Sequence, residues 1–311
     1  MSVTLIGPAD TRWVIASAAY FDHIRSDTWA SQMMEIARGL SRQFAVEFTH
    51  FDVIPKNPVQ GSLKGDYGYR WIARNVARLE KSILEGELLG LELISLADAG
   101  NDYLVHGILH LSVRTQKPYK PSGEIYIQIA PGLLERNRVG AVELYRQVLR
   151  QTNTAVDIRY GFVQPMALGK IPCMFASGVG GSMTTPLEAQ DNALWARFHD
   201  NYDSEMRNLY WGNVITDRHC LRPFDETLEE LRRIVGEGNV SRLSEDKAFF
   251  ILPIEMSEIE NRDDCRRYHE IRQQMAGLLR FMVPDEFVEK VTESAARTSE
   301  YLRSVSHDDS C

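Results

Sequence analysis

The chain has 311 residues, of which 44% are hydrophobic and 25% are charged, and its 43 acidic and 35 basic residues give a formal net charge of −8. This composition is that of a globular protein with a sizeable core, which excludes a largely disordered or fibrous chain. The negative charge disfavours nucleic acid as a partner and favours a basic protein, because phosphate contacts need a concentrated basic surface.

The location of the protein is predicted from the features its sequence lacks. Residues 1–10 show no charged segment followed by a long apolar run, so we predict no signal peptide. No apolar stretch reaches the roughly 18 residues that a membrane-spanning helix needs. The four cysteines have no C-x-x-C spacing and indicate reduced thiols: Cys173, Cys220, Cys265 and Cys311. We therefore expect a cytoplasmic protein with no membrane contact.

Residues 12–54, approximately, predict a β-α-β unit. The nearly continuous apolar run at residues 13–21 is typical of a central strand that is covered on both faces. A helix follows, with Trp29, Met33, Ile36 and Leu40 on one side, and a second strand at residues 46–49 ends before Pro55.

The next segment predicts a long helix and an antiparallel meander. Tyr69, Ile72, Val76 and Leu79 recur at helical spacing. Residues 88–97 and 103–114 read as two strands that are joined by a tight turn at residues 98–102, which contains Gly and Asn.

Residues 124–164, approximately, repeat the β-α-β pattern. Ile125, Ile127 and Ile129 alternate with polar residues, a helical stripe follows, and residues 156–162 alternate again. The two units share their order of elements and nearly their length, so we predict two copies of one supersecondary unit joined by the meander.

From about residue 190 the pattern becomes mainly helical. A loop rich in glycine and proline at residues 169–186 precedes it, and only residues 247–256 indicate a strand in this part. We predict one domain over residues 1–295 with a helical C-terminal layer, and a disordered tail at residues 296–311. Two domains divided near residues 169–186 are the alternative.

The predicted fold class is α+β. The two β-α-β units and the meander give a mixed, largely antiparallel sheet, with helices mostly on one face and the helical C-terminal layer added to it.

The polar residues do not form a familiar catalytic or cofactor motif. His106 and His110 are four apart on a predicted strand, a separation of roughly 13 Å that prevents them from sharing one metal ion. The glycines at residues 178–182 lack the lysine and the following helix of a phosphate-binding loop, and no serine has the Gly-x-Ser-x-Gly setting of a hydrolase nucleophile. We predict no cofactor, no metal and no catalytic residue.

One enzymatic hypothesis stays open. Glu245 and Lys247 precede a strand, and with the upstream Asp225 they resemble the Glu-x-Lys arrangement that holds a divalent metal for phosphodiester cleavage. A metal-dependent nuclease or hydrolase is therefore the alternative function, although a polar turn before a strand has the same letters.

Residues 210–213, Tyr-Trp-Gly-Asn, predict an anchored corner. Gly212 or Asn213 can adopt a left-handed conformation that ends a helix near Arg207, while Tyr210 and Trp211 anchor to the sheet.

This stretch resembles the Tyr-Trp-Gly-Asn corner of type VI immunity family proteins, a group of polymorphic-toxin immunity proteins. In order of elements, the resemblance spans about residues 88–282, including an amphipathic helix after the corner, and the amino-terminal unit goes beyond it. It implies a cytoplasmic bacterial protein that binds and neutralises a cognate secreted toxin. With a net charge of −8 on this chain, that toxin is expected to be basic.

Aromatic side chains are the expected contacts with such a protein partner, because Trp, Tyr and Arg dominate interface energetics. The candidates are Tyr67, Tyr69, Tyr119 and Tyr126. Tyr126 is the preferred one, since the alternation places it on the face of its strand opposite Ile125 and Ile127.

Overall fold

A computed structural model describes residues 13–25, 27–57, 70–96, 107–115, 123–137, 140–167, 172–177, 186–198, 201–259 and 262–282. The strands are β1 (Trp13–Ile24), β2 (His50–Pro55), β3 (Arg70–Trp71), β4 (Leu88–Leu96), β5 (Gly107–Arg114), β6 (Gly123–Ile129), β7 (Val156–Ala167), β8 (Gly212–Thr216), β9 (Val240–Ser244) and β10 (Lys247–Ile251). The helices are α1 (Trp29–Phe44), α2 (Ile72–Leu84), α3 (Pro131–Asn137), α4 (Ala141–Ala155), α5 (Pro172–Ser177), α6 (Pro186–Phe198), α7 (Phe224–Val235), α8 (Met256–Ile259) and α9 (Arg266–Met275).

The described strands form one sheet in the order β3-β2-β4-β5-β6-β1-β7-β8-β10-β9. Every described pair in it is antiparallel. The α+β class predicted from the sequence is therefore confirmed, with ten strands joined edge to edge.

Both predicted β-α-β patterns are present, with the second strand of the first unit at residues 50–55 instead of the predicted 46–49, but the strands of each unit are not neighbours. β1 and β2 run in the same direction and are separated by β6, β5 and β4, while β6 and β7 run in the same direction on either side of β1. The crossover through α1 therefore passes three strands and the crossover through α3 and α4 passes one, and in each unit the strands next to β1, β2, β6 and β7 are antiparallel to them. This insertion explains why a sheet built from two such units contains only antiparallel contacts.

Helices cover both faces of the central strands. On one face, α1 packs on α4, and the Tyr145 hydroxyl of α4 donates to the Ile15 carbonyl of β1 at 3.0 Å. On the other face, Phe175 of α5 packs edge-on against Phe162 of β7, and Trp195 of α6 packs against Tyr20 of β1. α1 and α4 form the helical layer that was predicted on one face of the sheet, and α5 and α6 form a further layer on the opposite face.

The C-terminal part contributes strands as well as helices. β8, β10 and β9 extend the sheet beyond β7, and α7 lies against β9 and β10. The sequence pattern predicts only β10, because Phe249, Phe250 and Ile251 form a continuous apolar run, whereas β8 and β9, of the same length, mix polar and apolar residues.

One contiguous cluster of buried apolar residues runs through both halves, from Ile15 to Met282. The sheet and this core both include residues from before and after residues 169–186, where a boundary between two domains was the alternative. The single domain over residues 1–295 stays a prediction, and the tail at residues 296–311 lies outside the described residues. In the part of the chain that the structure describes, no helix combines the length and apolar character needed to cross a membrane.

Candidate protein-binding surface

The corner at residues 210–213 is closed by a side chain. The Asn213 Oδ1 accepts the backbone N–H of Tyr210 at 2.9 Å, and its Nδ2 donates to the Tyr210 carbonyl at 2.7 Å. Because the whole corner is buried, these bonds satisfy backbone groups that water cannot reach.

Trp211 and Gly212 attach the corner to the sheet. The Trp211 indole donates to the Ile254 carbonyl at 3.1 Å, and its backbone N–H donates to the Gln164 Oε1 at 3.1 Å. Gly212 does not adopt the predicted left-handed conformation, and neither does Asn213; both are strand residues of β8. The glycine is needed for space instead, since a Cβ there would lie 3.0 Å from the Cβ of Val163 and 3.1 Å from the ring of Phe249.

A buried ionic network supports the corner from behind. Arg262 forms an ion pair with Asp191 at 2.6 Å and donates to the Leu209 carbonyl at 3.1 Å. Arg207, equally buried, donates to the Asp191 carbonyl at 2.8 Å and to the Asn192 Oδ1 at 2.6 Å. These contacts join α6, the corner and the segment before α9, so this part of the molecule is a structural centre.

Lys247 is not available for the catalysis that the alternative function requires. Its side chain is 0% exposed, and its ammonium donates to Asp157, which also forms ion pairs with Arg25 and Arg159. Burial acts to raise the pKa of Asp157, but hydrogen bonds from Lys247 and Arg25 outweigh it and lower the pKa to about 2. Lys247 and Asp157 thus tie β10 to β7.

The structure does not bring together the carboxylates of the nuclease hypothesis. Glu245 is exposed in the turn between β9 and β10, and Asp225 at the start of α7 is bound by Arg242. Among the described residues, no group of three or more His, Cys, Asp or Glu side chains is arranged to hold a metal ion. The hypothesis therefore has no structural support in this region.

Tyr126 is buried, which corrects the expectation that it lies on an open face. Only 2% of it is exposed; its hydroxyl donates to the Gln128 Oε1 at 2.7 Å and its ring packs edge-on against His110 at 5.2 Å. All seven residues of β6 are buried, so both sets of its alternating side chains face packed layers. The other three candidate tyrosines, Tyr67, Tyr69 and Tyr119, lie outside the described residues.

His110 is also buried rather than set on a less covered face. It is 1% exposed, and its Nε2 lies 2.7 Å from the Glu92 Oε1 on the neighbouring strand β4. Its predicted companion, His106, is outside the described residues. The His110–Glu92 contact begins a row of polar side chains that runs towards the β2 edge of the sheet.

That row ends in a surface depression of about 230 Å³ on β2, β4 and β5. Asp52 and Glu92 lie directly opposite each other in register, and the exposed Arg114 is on the same face. Ile54 is 41% exposed and leans over Gly90, where a Cβ would lie 2.9 Å from the Ile54 Cδ1. An exposed apolar side chain therefore lies beside two carboxylates and one guanidinium.

Sequence reasoning missed this depression, although a signal for it existed. Asp52 and Ile54 alternate with Phe51 and Val53 on β2, and Glu92 alternates with Leu91 and Leu93 on β4. Only the register that places β2 beside β4 shows that these residues share one site.

No protein-family model matches this chain, and no curated protein matches it. Among solved structures, the type VI secretion system (T6SS) protein PA0821 of Pseudomonas aeruginosa is similar, with a TM-score of 0.54 and 8% sequence identity. The match covers 91% of this chain and 81% of that chain. At this identity the likeness establishes a common fold.

Proposed function

We propose that this protein is an immunity protein of a type VI secretion system that binds and neutralises a cognate toxin. The observation that carries the proposal is the fold likeness to a T6SS protein over 91% of the chain. The Tyr210-Trp211-Gly212-Asn213 corner, which resembles that of type VI immunity family proteins, supports it independently.

The partner in this proposal is a basic protein. The net charge of −8 favours its capture, and the depression around Ile54 offers carboxylates from Asp52 and Glu92 next to an exposed apolar side chain. Such a surface neutralises an enzyme by covering its active site, which requires contact but no chemistry on this chain. The proposal places the encounter in the cytoplasm, in keeping with the free thiols of Cys220 and Cys265.

The test is co-expression with the product of the gene adjacent to its own in a bacterial host. If the proposal is correct, expression of that neighbour alone arrests growth and co-expression of this chain restores it. Ile54→Arg should abolish protection, because it fills the depression with a bulky cation that repels a basic partner. Leu221→Arg is the matched control: Leu221 is 48% exposed but lies after β8, at the other end of the sheet.

The outcomes separate the function from the site. No relief of toxicity by the unmodified chain would reject the immunity proposal. Relief that Ile54→Arg leaves intact, while the variant is folded and expressed equally, would reject the depression as the interface and retain the function.

A further inference from the structure

A second concave surface lies on the helical layer, between α1 and α4. The groove has a volume of about 440 Å³. Its floor is apolar and buried, formed by Ile36, Leu40, Leu144 and Val148. The two helices run antiparallel, because α1 follows β1, α4 follows β6, and β1 and β6 are antiparallel.

Gly39 lines this groove, and packing inside the protomer does not require glycine there. It lies in the middle of α1, where glycine costs about 0.5–1 kcal/mol relative to alanine. A Cβ at this position would meet no atom within 4 Å, so internal packing does not require glycine. A residue that weakens its own helix and leaves open space above it permits a second backbone to approach closely.

The charges along α1 are arranged symmetrically about Gly39. Gln32, Glu35, Gly39 and Arg42 line the groove at spacings of three, four and three residues, which forms a straight ridge on a helix. Glu35 and Arg42 therefore lie on either side of the glycine with opposite signs. An antiparallel copy of the same ridge places each glutamate opposite an arginine.

We propose that this groove is a self-association surface, in which a second copy of the chain packs its α1 antiparallel to the first across a two-fold axis near Gly39. Glu35 of each copy then pairs with Arg42 of the other, and the α4 amides of Gln147 and Gln151 line the sides. Arg42 has no ion pair in the described part of the chain, so it is available for this contact. Arg38, which now contacts Glu35 at 2.6 Å and Glu80 at 3.7 Å, keeps Glu80 as its partner.

The location of the groove has a consequence for stoichiometry. α1 and α4 cover one face of the sheet, whereas Asp52, Ile54 and Glu92 lie on the other. Each protomer of the dimer therefore presents its own depression, and the inference stands independently of the proposed function.

The experiment is sedimentation velocity of the purified chain across micromolar to near-millimolar concentrations. Wild type should show a concentration-dependent dimer. Glu35→Arg and Arg42→Glu should each weaken dimerisation by about tenfold or more, because attraction becomes repulsion at two symmetric contacts. The double variant Glu35→Arg/Arg42→Glu should restore it. Arg233→Glu, a charge reversal on the exposed side of α7, is the control and should have no effect.

Substitutions of Gly39 give a second test, because they should change monomer stability and dimer affinity in opposite directions, which a purely structural role of Gly39 would not do. Gly39→Ala should stabilise the monomer against denaturant and yet weaken the dimer, and Gly39→Trp should abolish the dimer. A wild type that is monomeric at every concentration, or a dimer indifferent to Gly39→Trp and to both charge reversals, would overturn the proposal.

Discussion

His219 shows how the fold uses a titratable residue as a neutral one. Its Nδ1 accepts the backbone N–H of Thr216 at 3.0 Å, which leaves Nε2 as the donor to the Tyr202 carbonyl at 3.0 Å. Burial lowers the pKa of His219 to about 4 from its ordinary value of 6.5, against the opposite influence of the hydrogen bond to the Tyr202 carbonyl.

This pKa predicts a specific loss of stability in acid. Because the folded state binds the proton less readily than the unfolded state, the contribution of His219 is fully present above pH 6.5 and is lost as the pH falls to about 4. The loss is on the order of 3 kcal/mol. Urea unfolding of wild type and His219→Gln from pH 7 to pH 4 measures it: the stability difference between them should shrink towards acid. His269→Gln, on an exposed histidine, should follow wild type, and parallel curves for His219→Gln would contradict the assignment.

The Asp157–Lys247 contact predicts unequal effects of removing each partner. Asp157→Asn leaves the buried Lys247 ammonium without its carboxylate and should cost on the order of 3 kcal/mol. Lys247→Met leaves Asp157 paired with Arg25 and Arg159 and should cost less than half as much. Chemical denaturation at neutral pH compares the two, and an equal or reversed order would show that Arg25 and Arg159 do not hold the carboxylate.

The burial of individual side chains was the property that the sequence predicted least well. The alternation of β6 correctly separates Ile125 and Ile127 from Tyr126, but it indicates an exposed face only if one side of the sheet meets water. Here α5 approaches β1 and β6 on that side. Burial of Lys247 is equally invisible in sequence, because its partner Asp157 is 90 residues away.

Among the elements, helix α1 has glycine at a position that favours alanine, and it is followed by alanine at a position that favours glycine. Gly39 is in the helix interior, and Ala45, just after the helix, has a positive φ of 51° that glycine adopts without strain. The hydrophobic stripe of α1 was predicted correctly because Trp29, Met33 and Leu40 repeat at helical spacing, but the conformation of Ala45 has no sequence signal.

Two substitutions in α1 should therefore stabilise the protein. Gly39→Ala and Ala45→Gly are each expected to raise the free energy of unfolding by about 0.5–1 kcal/mol, by helix propensity and by relief of the left-handed alanine respectively. Thermal and urea unfolding of the single and double variants should give nearly additive gains. Destabilisation by Gly39→Ala in the monomer would show that its Cβ meets a neighbour.

The corner at residues 210–213 was identifiable from sequence as a tight, anchored feature, but its mechanism was not. Asn213→Ala removes both bonds to Tyr210 and should cost about 2 kcal/mol or more, because a buried N–H and carbonyl lose their partners. Asn208 is not a control, since its bonds are buried as well; Asn201→Ala provides one, because it removes only a solvent-exposed bond to Glu205 at 3.2 Å. Denaturation midpoints measure the difference, and equal midpoints for Asn213→Ala and Asn201→Ala would refute the role of this side chain.

At the scale of the whole molecule, the sequence predicts which elements exist but not which of them meet. The fold class followed from two β-α-β patterns and a meander, all of which are local. The order of the strands depends on pairing between distant segments, such as β1 with β7, for which residue patterns carry little information. The depression and the α1–α4 groove are products of that order, so neither could be located before the structure.

Under the proposed function, the molecule acts by contact with its partner. Lys247 with Asp157 and Arg262 with Asp191 form structural pairs in its core, and the depression and the α1–α4 groove lie on opposite faces of the sheet. The depression carries Asp52, Glu92 and Arg114 beside the exposed Ile54, and the groove carries Glu35 and Arg42 on either side of Gly39.

Calorimetric titration of the purified chain with the purified product of the adjacent gene measures whether the depression binds that protein. The proposed function predicts a saturable complex with one partner per protomer. Its affinity should be lowered about tenfold or more by Ile54→Arg and unchanged by Leu221→Arg. Absence of binding heat together with separate sedimentation of the two proteins would contradict it.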